Sequence, residues 1–174
     1  RRRSSCGSSV WNNPSEPLMI EIVRERHVDL PPDRGWPLVE DPEKLSEWFT
    51  AAERIDVLKG SGLGRRQRLY GRWGRKRAEI DQVVTEYVPG KVLAWRHEAE
   101  RLDGKPAPEF ARETVFVIRL QPEGAGTRVR LESRQEPAGP VRGLMIRLFG
   151  KREVAGHMDR SLASLAARVG ERRA

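Results

Sequence analysis

The chain has 174 residues, of which 37% are hydrophobic and 33% charged, enough for one domain with a substantial core and too few for a second of ordinary size. A formal net charge of +8 raises the question of an anionic partner, and a single cysteine, Cys6, excludes an intramolecular disulfide and any multi-cysteine metal site. No apolar run reaches the ~20 residues of a membrane-spanning helix and no hydrophobic signal core follows the opening arginines, so a soluble, cytoplasmic protein is expected.

Residues 1–18 are rich in Ser, Asn, Pro and Arg without periodicity and are expected to be a flexible leader. The domain is expected over 19–170 and a basic tail over 171–174. Alternation of Ile20 and Ile22, then Val28, around Glu21, Arg24 and Arg26 predicts a first strand over 20–28. Pro32 suits a helix's first turn, which predicts a short helix over 32–39 carrying Trp36 and Leu38, made irregular by Pro37. Asp41 is a candidate cap and Pro42 a first position for a second helix, with Leu45, Trp48 and Phe49 on its apolar side.

Strands are expected over 55–58, 66–73 and 77–87, the last two meeting at a turn around Gly74. Further strand patterns cover 92–97, 114–120 and 127–133, separated by Pro89-Gly90, by a polar loop over 101–108 and by Glu123-Gly124-Ala125-Gly126. Antiparallel strands of this kind bury one face and need a cover. A long amphipathic helix over 141–169 supplies it, with Leu144, Leu148, Ala155, Met158, Leu162, Leu165 and Val169 on one stripe. No internal repeat of solenoid length is present.

This layout, carried by LPPDRGWPLVEDPEKLSEWF, VTEYVPGKVLAWRHE, TVFVIRLQPEGAGTRVRLES and the final helix, resembles the START-like superfamily, also called SRPBCC, of polyketide cyclase-like and lipid-transfer proteins. The resemblance covers 19–169. It implies an α+β helix-grip fold: a curved seven-stranded antiparallel sheet around the C-terminal helix, two short helices after strand one, and a cavity for an apolar or amphipathic ligand. The superfamily has no shared catalytic set, so the resemblance assigns no residue a role, and it implies no cofactor.

The cavity candidates are Trp48, Trp95, Phe116, Ile118, Leu131, Met158 and Leu162, with His97 as a polar group; the same side chains also suit a filled core. Of the 3 histidines, His97 shares a strand face with Leu93 and Trp95, while His27 is less well placed and His157 is expected to point outward. Among the strand carboxylates Asp81, Glu86, Glu98 and Glu132, Glu86 is the candidate proton carrier beside His97, the alternative being an outward ion pair with arginine. No histidine pair has i, i+4 spacing, so no metal site is expected.

The run 60–64, Gly-Ser-Gly-Leu-Gly, lacks the Lys-Ser/Thr of a phosphate loop and precedes a strand, which makes it a flexible turn able to gate a cavity mouth. Arg65, Arg66, Arg68, Arg72, Arg75, Lys76 and Arg77 surround Tyr70 and Trp73, a mixture that suits an acidic partner or an anionic surface. Strand parity sets Arg68, Tyr70 and Arg72 opposite Leu69, Gly71 and Trp73, which would place Trp73 in the core. No RNA-binding consensus, zinc finger or helix-turn-helix pattern is present, so nucleic acid is not the expected partner.

The leading functional expectation is binding of a small hydrophobic or amphipathic molecule, lipid-, quinone- or polyketide-like. The alternatives are a cyclase or dehydratase-like enzyme using His97 and Glu86, and an interaction module docking an acidic partner through the basic hairpin.

Overall fold

A computed structural model describes residues 19–171; the expected leader over 1–18 and residues 172–174 of the expected tail lie outside them. Strand β1 (Ile20–Val28) leads into helices α1 (Pro32–Glu40) and α2 (Pro42–Trp48). Strands β2 (Arg54–Lys59), β3 (Arg66–Trp73), β4 (Lys76–Val88), β5 (Val92–Leu102), β6 (Lys105–Pro106), β7 (Ala111–Glu123) and β8 (Gly126–Pro137) follow. The chain ends in α3 (Pro140–Met145), a π-helical turn (Ile146–Gly150) and α4 (Lys151–Glu171).

The strands form one antiparallel sheet in the order β1-β8-β7-β5-β4-β3-β2, with β6 paired to β5 outside that path. This is the expected helix-grip arrangement with one small strand added. Residues 101–106, expected as loop, form a hairpin between β5 and β6: Asp103 and Gly104 both take positive φ, 51° and 76°, and pair Leu102 with Lys105 across a two-residue turn. Register shifts between β4 and β5, β2 and β3, and β7 and β8 bend the strands and help the sheet curl.

The two short helices form for the reasons expected. Asp41 accepts from Glu43 N at 3.0 Å, and Pro42 occupies the first turn of α2. Trp48 Nε1 donates to Leu38 O at 2.8 Å, tying α2 to α1 inside the core. The loop after α2 is tied to α4 through Thr50 N, which donates to Ser161 Oγ at 2.9 Å. Gly71 is required for space: a β-carbon there would lie 2.3 Å from Ala51 O.

Helix α4 buries Ala155, Met158, Leu162, Leu165 and Val169 as expected and packs on β1, β8 and α2. The expected stripe does not continue to Leu144 and Leu148, which are 56% and 61% exposed. The π-turn holds one residue more than an α-turn, which rotates the preceding segment by about 100° relative to α4. Gly143 and Ile146 therefore face the protein instead.

At the end of β1, His27 contacts Glu123 at 2.9 Å and Asp29 at 3.1 Å, while Arg128 also donates to Glu123. The Glu123 contact, then Asp29, raises the imidazole above its ordinary value of 6.5. The charged contact is therefore fully present below pH 6.5 and is lost as pH rises through the raised folded value. Urea midpoints are expected to fall more for the wild type than for His27→Asn as pH is taken from about 6 to about 8.5. Parallel pH dependences in the two proteins would contradict this coupling.

Candidate functional site

The concave face of the sheet carries successive cross-strand rows. In one, Val84, Trp95, Phe116 and Ser133 are consecutive partners on β4, β5, β7 and β8. Trp95 and Phe116 stack with centroids 5.1 Å apart, and Phe49 meets both edge-on at 5.8 Å and 5.0 Å. Trp48 closes the group against Phe49 at 6.1 Å. The structure thus brings Trp48, Trp95, Phe116, Ile118, Leu131, Met158 and Leu162 into one buried cluster between sheet and α4.

Among the described residues these side chains pack against one another in the core. A gap of about 10 Å³, room for about one water, lies elsewhere, among Val28, Leu30, Leu38, Val39, Leu120 and Leu165 beside Gly35, Thr127 and Val129. None of the seven expected cavity residues borders it.

The neighbouring row is polar. Gln67, Gln82 and His97 are consecutive partners on β3, β4 and β5. Both glutamines are completely enclosed, at 0% and 1% exposure. Gln67 Nε2 donates to Gln82 Oε1 at 3.0 Å, which leaves Gln67 Oε1 and Gln82 Nε2 buried without partners. Turning both amides over leaves the same remainder, one donor and one acceptor. Such atoms are rare in folded proteins.

The residues flanking this pair continue the pattern. Arg65 is buried; its Nη1 donates to Glu40 O at 2.9 Å, while Nε and Nη2 have no partner. Burial pushes its guanidinium below the ordinary value against the opposing pull of Tyr87 and Glu40. Trp36 Nε1 is likewise buried and unpartnered, its ring edge-on to Tyr87 at 5.6 Å. Burial, with the Glu40 carboxylate nearby, raises the Tyr87 phenol. Gly62, in the glycine-rich loop, lies against Tyr87: a β-carbon there would meet the ring at 3.6 Å. Trp36, Arg65, Gln67 and Gln82 hold 5 buried unpartnered polar atoms in all.

His97 lies on the concave face as expected, at its rim, with 18% of its side chain exposed. Its partner is Glu100, not Glu86: His97 Nδ1 meets Glu100 Oε1 at 2.7 Å, and this bond holds the Glu100 carboxyl below its ordinary value. Residues three apart in a regular strand point to opposite faces. The bulge at Glu98, between the pairs Gln82–His97 and Asp81–Ala99, cancels that alternation. Glu86 pairs with Ala94 on the convex face, three residues from His97 along β5, and sits 3.8 Å from Arg119. The structure therefore does not bring His97 and Glu86 together.

The other strand carboxylates also face outward. Asp81 binds Arg68 at 2.6 Å and Arg101 at 2.8 Å, and the Arg68 bond is the main cause of its lowered carboxyl. Glu98 pairs with Arg66 at 3.2 Å. Glu132 is held by Arg119, Arg130 and Arg134; burial pushes its carboxyl up, and the Arg130 bond with the neighbouring guanidinium charges outweighs that and lowers it.

The basic hairpin is largely neutralised by the same pairing. Arg66 and Arg68 are bridged as described, Arg72 reaches Glu53 at 2.9 Å, and Arg65 is buried. Arg75, Lys76 and Arg77 at the tip make no ion pair among the described residues. Trp73, expected in the core, is 47% exposed, because the hairpin runs beyond Gly71, where the Ala51 carbonyl closes over the concave face. His157, expected outside, is half-buried against Thr50, and burial lowers its imidazole. Among the described residues no cluster has the makings of a metal site, and no helix is long and apolar enough to cross a membrane.

The family model described as polyketide cyclase / dehydrase and lipid transport matches residues 19–170. The chain belongs to this family. No curated protein matches the sequence. Among solved structures, one from Thermus thermophilus superposes with a TM-score of 0.69 at 21% identity, covering 89% of this chain and 100% of that one. A START superfamily protein from Mycobacterium smegmatis gives 0.67 at 13% identity, covering 87% and 97%. Ginseng major latex-like protein 151, from Panax ginseng, gives 0.59 at 13% identity, covering 80% and 97%. At these identities the likeness establishes the fold. Family and fold together support a hydrophobic-ligand site between sheet and α4, the region where the aromatic cluster lies.

The amide pair has a measurable energetic signature. Gln82→Leu alone strands every polar atom of Gln67 and is expected to cost about 1–3 kcal/mol, whereas Gln67→Leu with Gln82→Leu removes both and is expected to be neutral or stabilising. Urea denaturation of the three proteins checks this. A double variant less stable than Gln82→Leu would mean that the amides are fully satisfied in the native state.

Proposed function

We propose that the protein binds a small, mainly apolar molecule bearing a hydroxyl or carbonyl group, with its apolar body between the sheet and α4 and its oxygen function at Gln67 and Gln82. The observation that carries this reading is the enclosed amide pair with one free acceptor and one free donor. A buried amide deprived of hydrogen bonds costs free energy, and a ligand that restores them recovers it. A hydroxyl donates to Gln67 Oε1 and a carbonyl accepts from Gln82 Nε2. Of the lipid-, quinone- and polyketide-like classes, a molecule carrying both groups, as polyketide-like compounds do, uses both atoms; a quinone uses only the donor.

Room for the ligand comes from exchange. Phe49, just after α2, and Trp95 and Phe116, on β5 and β7, come from separate parts of the chain, and a ligand entering among them replaces ring contacts with its own. Apolar burial is then conserved, and the remaining cost is rotamer strain. The glycine-rich loop against Tyr87, with positive φ at Gly60, Gly62 and Gly64, is a suitable gate beside the polar row.

A second reading is catalysis, favoured by the 2.7 Å His97–Glu100 contact at the rim of the same row. An imidazole oriented by a carboxylate is suited to moving a proton on a bound carbonyl compound, as a cyclase or dehydratase requires. His97→Gln would then abolish turnover while leaving affinity near the wild-type value.

Tryptophan fluorescence titration against fatty acids, hydroxylated fatty acids, quinones and aromatic polyketides tests the binding reading. One-to-one binding of an oxygenated apolar compound is expected, weakened about tenfold to a hundredfold in the Gln67→Leu, Gln82→Leu protein. Equal affinity in that protein, or no binding across the panel, would contradict it.

A further inference from the structure

Helix α3 and the π-turn carry an apolar stripe that the fold does not use. Val141, Leu144, Met145, Leu148 and Phe149 recur at i, i+3, i+4, i+7 and i+8, and they are 72%, 56%, 45%, 61% and 70% exposed. The same segment turns only Gly143 and Ile146 inward. An apolar stripe of this size facing water is a mark of an interaction surface. Phe110, 42% exposed, adjoins it: its carbonyl accepts from Ala138 N at 3.0 Å, and the preceding Glu109 carbonyl accepts from Arg142 Nη1.

The charges on the segment that carries the stripe are of one sign. No Asp or Glu occurs between Glu136 and Glu153, whereas Arg142, Arg147, Lys151 and Arg152 all lie within that interval and are exposed. None of the four forms an ion pair with a described carboxylate, unlike Arg66, Arg68 and Arg72 on the basic hairpin. The cations are therefore uncompensated just where large apolar side chains are in water.

We infer that this segment docks the protein on an anionic lipid surface. The stripe enters the boundary between headgroups and acyl chains, and the arginines and lysine engage lipid phosphates and carboxylates. A second copy of the chain fits less well, because a two-fold contact through this patch would bring two sets of unpaired cations together. The inference stands whether or not the interior holds a ligand.

Co-sedimentation of the full chain with vesicles of equal parts phosphatidylcholine and phosphatidylserine tests it. The wild type is expected to bind these vesicles, to bind pure phosphatidylcholine at least about tenfold more weakly, and to be released substantially at high salt. Leu144→Ser with Leu148→Ser and Phe149→Ser is expected to weaken binding about tenfold or more at an unchanged thermal midpoint, since these side chains are exposed. Arg147→Gln with Lys151→Gln and Arg152→Gln is expected to remove the preference for anionic vesicles. The inference is overturned if the wild type does not bind, if the serine variant binds as well as wild type, or if binding is lost only when Arg75, Lys76 and Arg77 are neutralised. Concentration-dependent dimerisation abolished by Leu148→Ser, without vesicle binding, would assign the stripe to self-association instead.

Discussion

The concave face of the sheet has to be covered, and the stripe of α4 from Met158 to Val169, with α1 and α2, covers it. Each buried side chain of that stripe removes apolar surface worth roughly 1.5–3 kcal/mol from water, and no other described element offers a comparable face. The rest of the architecture is arranged around this contact. Strand bulges help curl the sheet toward the helix, Trp48 joins α1 and α2 beneath it, and Thr50 and Ser161 fix the loop after α2 to α4. Where the π-turn breaks the phase of the helix, coverage ends and apolar side chains emerge into solvent.

Against that apolar interior, the row through Gln67 and Gln82 is a local conflict. The adjacent row is mainly apolar, through Val84, Trp95 and Phe116, yet here two amides are enclosed with half their hydrogen-bonding capacity unused. Local conflicts of this kind are disfavoured by folding alone and concentrate where a protein binds or reacts. The convex face contrasts with this: its buried carboxylate, Glu132, is held by three arginines.

Much of the fold could be read from the sequence because it rests on periodicity. Leu93, Trp95 and His97 do share the concave face, Asp41 does cap α2, and the α4 stripe from Ala155 onward is buried as its spacing requires. Some of the departures share an origin in single-residue insertions that periodicity does not register. The bulge at Glu98 gives His97 a partner in Glu100, a second bulge at Thr85 turns Glu86 to the convex face, and the π-turn exposes Leu144 and Leu148. The Asp103-Gly104 hairpin did have a sequence signal, a dipeptide suited to a two-residue turn, set within residues expected as loop. The glutamines had one as well: Gln67 shares parity with Leu69 and Gly71, a polar residue at a core position, and attention to charged and aromatic residues passes over it.

The most direct test of this account is a crystal structure at a resolution that separates ordered water from ligand, taken from protein purified without denaturation. The account predicts non-protein density within hydrogen-bond distance of Gln67 Oε1 and Gln82 Nε2, continuous with an apolar body among Phe49, Trp95 and Phe116 once a suitable compound is present. Two amides that satisfy each other or nearby backbone completely, over an aromatic cluster that stays closed at saturating ligand, would contradict it.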